Sequence, residues 1–289
     1  MMSRTPARVL TAAILIPLAV ATVWYGPNWL VAAVAAIVGV VALLEFFAIG
    51  ERAGLRGNEF WTSFTASAIF AQQWYAARLA SVARLGDLLY EARQPRITLD
   101  LILFGFLLGL AVIAFVSRRP LSEIFSSVSI SAAGIICVVL PFSAVVRIHG
   151  LDVIGPQLLL FTLVLVWVGD TSAFFAGRAF GRWKMSPQLS PNKTWEGAGA
   201  NLLGSLLVGA VFGYWTKIPP AHILAMSVFG SIAGQVGDIF ESSFKRSAGV
   251  KDSGAILPGH GGMLDRIDAL IFAAPAVWYY FEWVVLKKY

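Results

Sequence analysis

Nine apolar runs, each near the roughly 20 residues that a helix needs to cross hydrocarbon, dominate this sequence and decide most of what it can become. They cover residues 9–25, 29–49, 60–77, 99–116, 129–146, 158–176, 197–215, 223–240 and 269–286. In lipid every backbone polar group must find a partner within its own segment, so such runs fold as helices and not as open strands. The composition agrees. Hydrophobic residues make up 58% of the 289, charged residues 13%, and the mean hydropathy is +0.75, whereas soluble domains carry about 25% charged residues. A soluble core of this size cannot hide that much apolar surface, which excludes disorder, collagen, coiled coil and a soluble nucleotide-binding fold. The expected fold is an all-α integral membrane protein, a polytopic bundle of about nine transmembrane helices with cytoplasmic catalytic loops.

Two of the runs need comment. The first follows Arg4 and Arg8 and has small residues at Ala19-Val20-Ala21, as a signal peptide would. Trp24 and Tyr25 suit the interface of a retained span, and a first transmembrane helix is expected. The run at 60–77 is more polar, with Gln72 and Gln73, and is also expected to span. Between it and the next, Leu79, Val82, Leu85 and Leu89 recur at helical spacing among Arg84, Asp87, Glu91 and Arg93. This predicts an interfacial amphipathic helix over 78–96. Residues 1–150 thus form an N-terminal membrane region of about five spans plus that helix, and 151–289 a C-terminal catalytic membrane region. With nine spans, fourteen of the 22 Lys and Arg residues fall on the N-terminal side of the membrane and eight on the other. That bias places the N-terminus and the loops after spans two, four, six and eight in the cytoplasm, hence in a cell's inner (cytoplasmic) membrane.

The net charge of +6 is satisfied by that bias, and no long basic run or basic-aromatic stripe points to nucleic acid. One cysteine, Cys137, excludes an internal disulfide framework, and His149, His222 and His260 form no zinc pattern.

Polar residues concentrate in two loops on the predicted cytoplasmic face. On the helix entering the second loop, Asp238, Glu241 and Lys245 share one face. On the helix leaving it, Asp265 and Asp268 are three apart. Two acid pairs flanking a glycine loop suggest a hard-cation site, against the plainer alternative of an intrahelical Glu241–Lys245 ion pair. Gly259-His260-Gly261-Gly262 lets backbone N–H groups approach an anion, and a tight turn capped by Asp265 explains the glycines equally well. Lys245, Arg246, Lys251, His260 and Arg266 supply the cations that a phosphate-rich ligand needs. In the first loop, Ser190-Pro191 reads as a cap and first residue of helix seven, which would put Asn192, Lys193 and Thr194 at a helix N-terminus. Asp170, inside the sixth run, is an intramembrane acid and so a functional candidate; Glu45 and Glu282 make the same claim more weakly. GxxxG patterns at Gly105/Gly109, Gly209/Gly213 and Gly230/Gly234 suit close helix contact, including pairing of two copies as a homodimer.

The stretch Ser243-Phe244-Lys245-Arg246, Lys251-Asp252 and Pro258-Gly259-His260-Gly261-Gly262-Met263-Leu264-Asp265-Arg266-Ile267-Asp268 closely resembles the signature of the phosphatidate cytidylyltransferases, or CDP-diacylglycerol synthases. Asp170, Gly177/Gly181 and Ser190-Pro191-Asn192-Lys193-Thr194-Trp195-Glu196-Gly197 resemble that family's second conserved region. The likeness covers about the last 125 residues; the first 150 match only as hydrophobic spans. Thr171-Ser172-Ala173-Phe174 departs from it, with Phe where the family often has Tyr. The resemblance implies transfer of CMP from CTP to phosphatidic acid, giving CDP-diacylglycerol and pyrophosphate with Mg²⁺ and room for a second cation. It implies catalytic roles for Asp265, Asp238, Lys251, His260 and Asp268. Substrate binding falls to Asn192, Lys193, Thr194, Ser243, Lys245, Arg246, Arg266, Gly261 and Gly262, and metal binding to Asp238, Asp265, Glu241 and Asp170. Two other classes stay open: an ion-coupled carrier using Asp170, Glu45 and Asp238, and another CTP- or lipid-head-group enzyme. No P-loop motif is present.

Overall fold

The computed structural model describes residues 4–84, 97–117, 120–151, 154–216, 218–256 and 261–286. Among them the helices form nine rods, one for each apolar run. These are α1 (Arg4–Tyr25), α2 (Asn28–Arg52), α3 (Glu59–Arg84), α4 (Leu99–Val116), α5 (Leu121–His149), α6 (Gly155–Phe180), α7 (Trp195–Trp215), α8 (Pro220–Ser247) and α9 (Leu264–Tyr280). Six of them, α2 and α4 to α8, are long and apolar enough to cross a membrane. With the composition, this makes the chain an integral membrane protein. Rod α5 is interrupted by a π turn, Ile135–Val139, just before Pro141, whose missing N–H breaks the regular ladder. A second π turn, Phe281–Val285, continues α9.

Three expectations change. The chain is not purely α: β1 (Lys184–Ser186) and β2 (Ser190–Thr194) pair antiparallel between α6 and α7. Ser190-Pro191 therefore opens a strand and not a helix. Helix α7 starts at Trp195, capped by Thr194, whose Oγ1 accepts from the Gly197 N–H at 3.2 Å. The beginning of the expected interfacial helix, residues 78–84, is the end of α3, and 85–96 lie outside the described residues.

Small residues draw the C-terminal helices into backbone contact. A Cβ at Gly197 would stand 3.0 Å from the Ala173 carbonyl, and one at Gly177 would stand 3.2 Å from Thr194 Oγ1, which fixes α6 on α7. Gly234 and Gly237 do the same for α8 on α9, facing the carbonyls of Ala269 and Asp268. Gly209, Gly213, Gly230 and Gly109 likewise meet side chains of this chain, so those GxxxG faces are used internally, while Gly105 faces open space. The buried core runs through both sequence regions, from Leu43, Phe46 and Phe47 on α2 to Ile267, Leu270 and Val277 on α9.

Candidate active site at the ends of four helices

The ends of α6 and α8, the starts of α7 and α9, and residues 248–256 and 261–263 meet on one side of the bundle. Lys245, near the end of α8, is the hub. Its ammonium donates to Glu241 one turn earlier and, at 2.6 Å, to Asp265 Oδ1 on α9. The three side chains are only 9%, 6% and 7% exposed. The intrahelical pair is thus real, and it extends into a triad joining two helices.

Asp265 does more than hold Lys245. Its Oδ2 accepts the N–H groups of Ser253 and Gly262, both at 2.9 Å. Asp265 precedes the apolar run of α9. Burial alone would raise its carboxyl, but the donation from Lys245, Gly262 and Ser253 outweighs this and holds it below the usual carboxylate range. Gly261 has φ +81°, which favours glycine, and a Cβ there would stand 2.9 Å from Asp265 Oδ2. The glycine turn is therefore built around Asp265.

A second carboxylate grips the same turn. Glu45 of α2 is 5% exposed. Its Oε1 accepts from Met263 N at 3.0 Å, and its Oε2 accepts from Leu264 N at 2.8 Å and Ser253 Oγ at 2.9 Å. Helix α9 has no cap from its own N-cap residue, Met263, so Glu45 satisfies donors that would otherwise be orphaned. As an intramembrane acid Glu45 was legible as a candidate; its partners, more than 200 residues away, were not.

Further acids lie close by. Lys193 Nζ pairs with Asp238 Oδ2 at 2.7 Å, linking β2 to α8. Asp170, Asp238 and Asp268 lie near enough to repel one another electrostatically, and Lys193 and Arg266 oppose that repulsion at Asp170. Asp170 stays accessible although it sits ten residues, about 15 Å of helix, before the end of α6. A small crevice lined by Asp170, Asn201, Ser231 and Gln235 lies there, between α6, α7 and α8. One wall is a hydrogen-bond ladder that the sequence reading missed: Asn201 Nδ2 donates to Asp170 Oδ1 at 3.2 Å, and Ser231 Oγ donates to Asn201 Oδ1 at 2.8 Å. The available signal was an asparagine inside an apolar run.

The remaining candidates divide. The side chains of Lys251, Arg266 and Asn192 are exposed and make no hydrogen bond or ion pair among the described residues. Arg246 is instead engaged locally, donating to Leu189 O at 3.1 Å and Val250 O at 2.8 Å, which ties the hairpin to the end of α8. Ser243 donates back to Phe240 O at 2.6 Å, and Thr194 is the helix cap. His260 lies outside the described residues. Asp265 and Glu241 are bound to Lys245, and Asp238 is bound to Lys193. Among the described residues no set of three or more acidic, His or Cys side chains is arranged to hold a metal.

The sequence pattern of the Cytidylyltransferase family matches residues 6–284. A Bacillus subtilis protein named phosphatidate cytidylyltransferase is 34% identical over 183 residues, which is 63% of this chain and 67% of that relative. A Haemophilus influenzae protein of the same name is 38% identical over 180 residues, 59% of this chain and 61% of its own length. One from Staphylococcus saprophyticus is 46% identical over 123 residues, 42% and 47% of the two chains. The aligned stretches thus span from about half to two thirds of these relatives. With a match over nearly its whole length, this chain belongs to the cytidylyltransferase family.

Proposed function

We propose that this protein is a CTP:phosphatidate cytidylyltransferase of the inner (cytoplasmic) membrane, with nine spans and its site open to the cytoplasm. It would transfer CMP from CTP to phosphatidic acid and release pyrophosphate. The observation that carries the reading is the stapled glycine turn, on the same bundle as the Lys193–Asp238 ion pair and the crevice holding Asp170 and Asn201. A phosphate oxygen of phosphatidic acid attacks the α-phosphorus of CTP; the new P–O bond forms as the bond to the β-phosphate oxygen breaks. Such a step needs no covalent nucleophile from the protein, only alignment and charge neutralisation. Lys193, Lys251 and Arg266 are assigned to the phosphates.

Mg²⁺ fits this site in a limited way. Nucleotide enzymes commonly hold it through one or two carboxylates plus substrate phosphate oxygens, so a protein cage of three acids is not required. The mutual repulsion of Asp170, Asp238 and Asp268 is what a cation would relieve. Asp238 is assigned as its holder, with Asp170 and Asp268 beside it, and Asp265 is assigned to the turn. When bound, the ion supplies charge neutralisation at the phosphates. The test is purified protein with labelled CTP and phosphatidic acid: CDP-diacylglycerol and pyrophosphate should appear in equal amounts. Absence of any CDP-lipid from folded protein supplied with Mg²⁺ overturns the proposal.

A further inference from the structure

Glu45 lies outside the two polar loops that carry the signature, on α2 in the N-terminal half, yet its carboxylate is spent entirely on the second of them. It has no Lys or Arg partner among the described residues. Its negative charge is met instead by the first N–H groups of α9, at the positive end of the helix dipole, and by one hydroxyl. Ser253 is gripped twice, through its N–H by Asp265 and through its hydroxyl by Glu45. The fit is tight, because a Cβ on Gly254 or Gly262 would collide with the Glu45 carboxylate.

We infer that Glu45 is a positioning residue for cytidylyl transfer. It clamps the loop so that Lys251 and the Gly261-Gly262 turn stand in register with the α6–α8 crevice, without itself touching CTP or lipid. The inference rests on the function proposed above. Lys193, carried by β2, still collects the anionic substrates when the clamp is lost, whereas alignment of the reacting phosphates is not kept. A misplacement of about 1 Å costs on the order of a hundredfold in rate.

Three variants test it: Glu45→Gln, Glu45→Leu and Ser253→Ala. The expected order of kcat is wild type, then Glu45→Gln, then Glu45→Leu at about a hundredfold loss, with KM for CTP changing far less. The Gln variant keeps one acceptor oxygen and so rescues in part. Because Glu45 and Ser253 act through one bond, the cost of Glu45→Gln should shrink in the Ser253→Ala background. Hydrogen exchange should show the Met263 and Leu264 amides opening faster in Glu45→Leu. Where Glu45→Leu fails to fold, Glu45→Gln and the paired comparison carry the test. A merely structural role predicts lowered melting temperatures with normal kcat in the folded fraction and additive losses, and that result overturns the inference. Wild-type protein making no CDP-lipid would overturn the function as well, whereas active wild type with equally active variants overturns this inference alone.

Discussion

Replacing Lys245 by Met should be among the most damaging single changes in this molecule. The ammonium lies between Glu241 and Asp265, at 2.6 Å from the latter, and all three side chains are less than a tenth exposed. Methionine matches the length and fills the space, but it leaves two carboxylates side by side without a counter-charge. Breaking a buried ion pair by removing one partner costs about 3–5 kcal/mol. At about 2–4 °C per kcal/mol for chains of this order, the melting temperature should fall by roughly 6–20 °C. Part of that loss is repulsion, so adding Glu241→Gln to Lys245→Met should recover stability, although it removes a second native partner. Thermal unfolding in detergent, followed by light scattering or size-exclusion, reads both effects. A Lys245→Met melting point within 2 °C of wild type (roughly 1 kcal/mol or less), or a double variant worse than the single, refutes the view that Lys245 is the electrostatic hub of the site.

Chelation of wild-type protein should abolish turnover and Mg²⁺ should restore it, while Asp238→Asn should need more Mg²⁺ for half-maximal rate; an unaltered Mg²⁺ titration in that variant would remove Asp238 as the holder. Lys251→Ala should reduce kcat/KM about ten- to a hundredfold, as loss of a charge-assisted bond of about 1.5–3 kcal/mol implies, with an unchanged melting point because the side chain is exposed. Asn192→Cys and Lys251→Cys in a Cys137→Ala background should resist an impermeant thiol reagent in intact cells and react after lysis; labelling from outside would reverse the proposed orientation.

Helix placement was legible because hydrophobic length alone fixes it, and each apolar run became one rod. The Ser190-Pro191 error shows the limit of local rules. Those residues favour a helix start in isolation, but the strand that contains them is set by pairing with Lys184–Ser186 and by Arg246 holding Leu189 from another helix. The actual cap, Thr194, was in view as a substrate contact. At the second loop, spacing correctly grouped Glu241 with Lys245, since that pair is local; Asp265 holds the Ser253 and Gly262 N–H groups while Glu45 meets the start of α9. That Lys245 also reaches Asp265 was not legible, because it depends on how α9 docks on α8. Asn201 and Glu45 show the same limit: a single polar residue in an apolar run announces that it has a partner, but not which one.

Glu45 also has a consequence for how the chain is made. When α2 enters the bilayer, the residues that later bind its carboxylate have not been synthesised, since Ser253, Met263 and Leu264 follow more than 200 positions later. The helix must therefore insert with an unpartnered acid. Its 18-residue window has a mean hydropathy of 2.6, among the highest in the chain. Each Leu, Ile, Val or Phe contributes about −0.3 to −0.6 kcal/mol to insertion, enough together to carry one ionisable residue placed seven positions before the Arg52 end. The nascent protein then holds an open valence in the membrane until its last loop emerges. A chain stopped after Val250 would insert its early helices and still lack every donor that Glu45 requires, so translation of the final segment closes the glycine turn and supplies that acid's partners in one event.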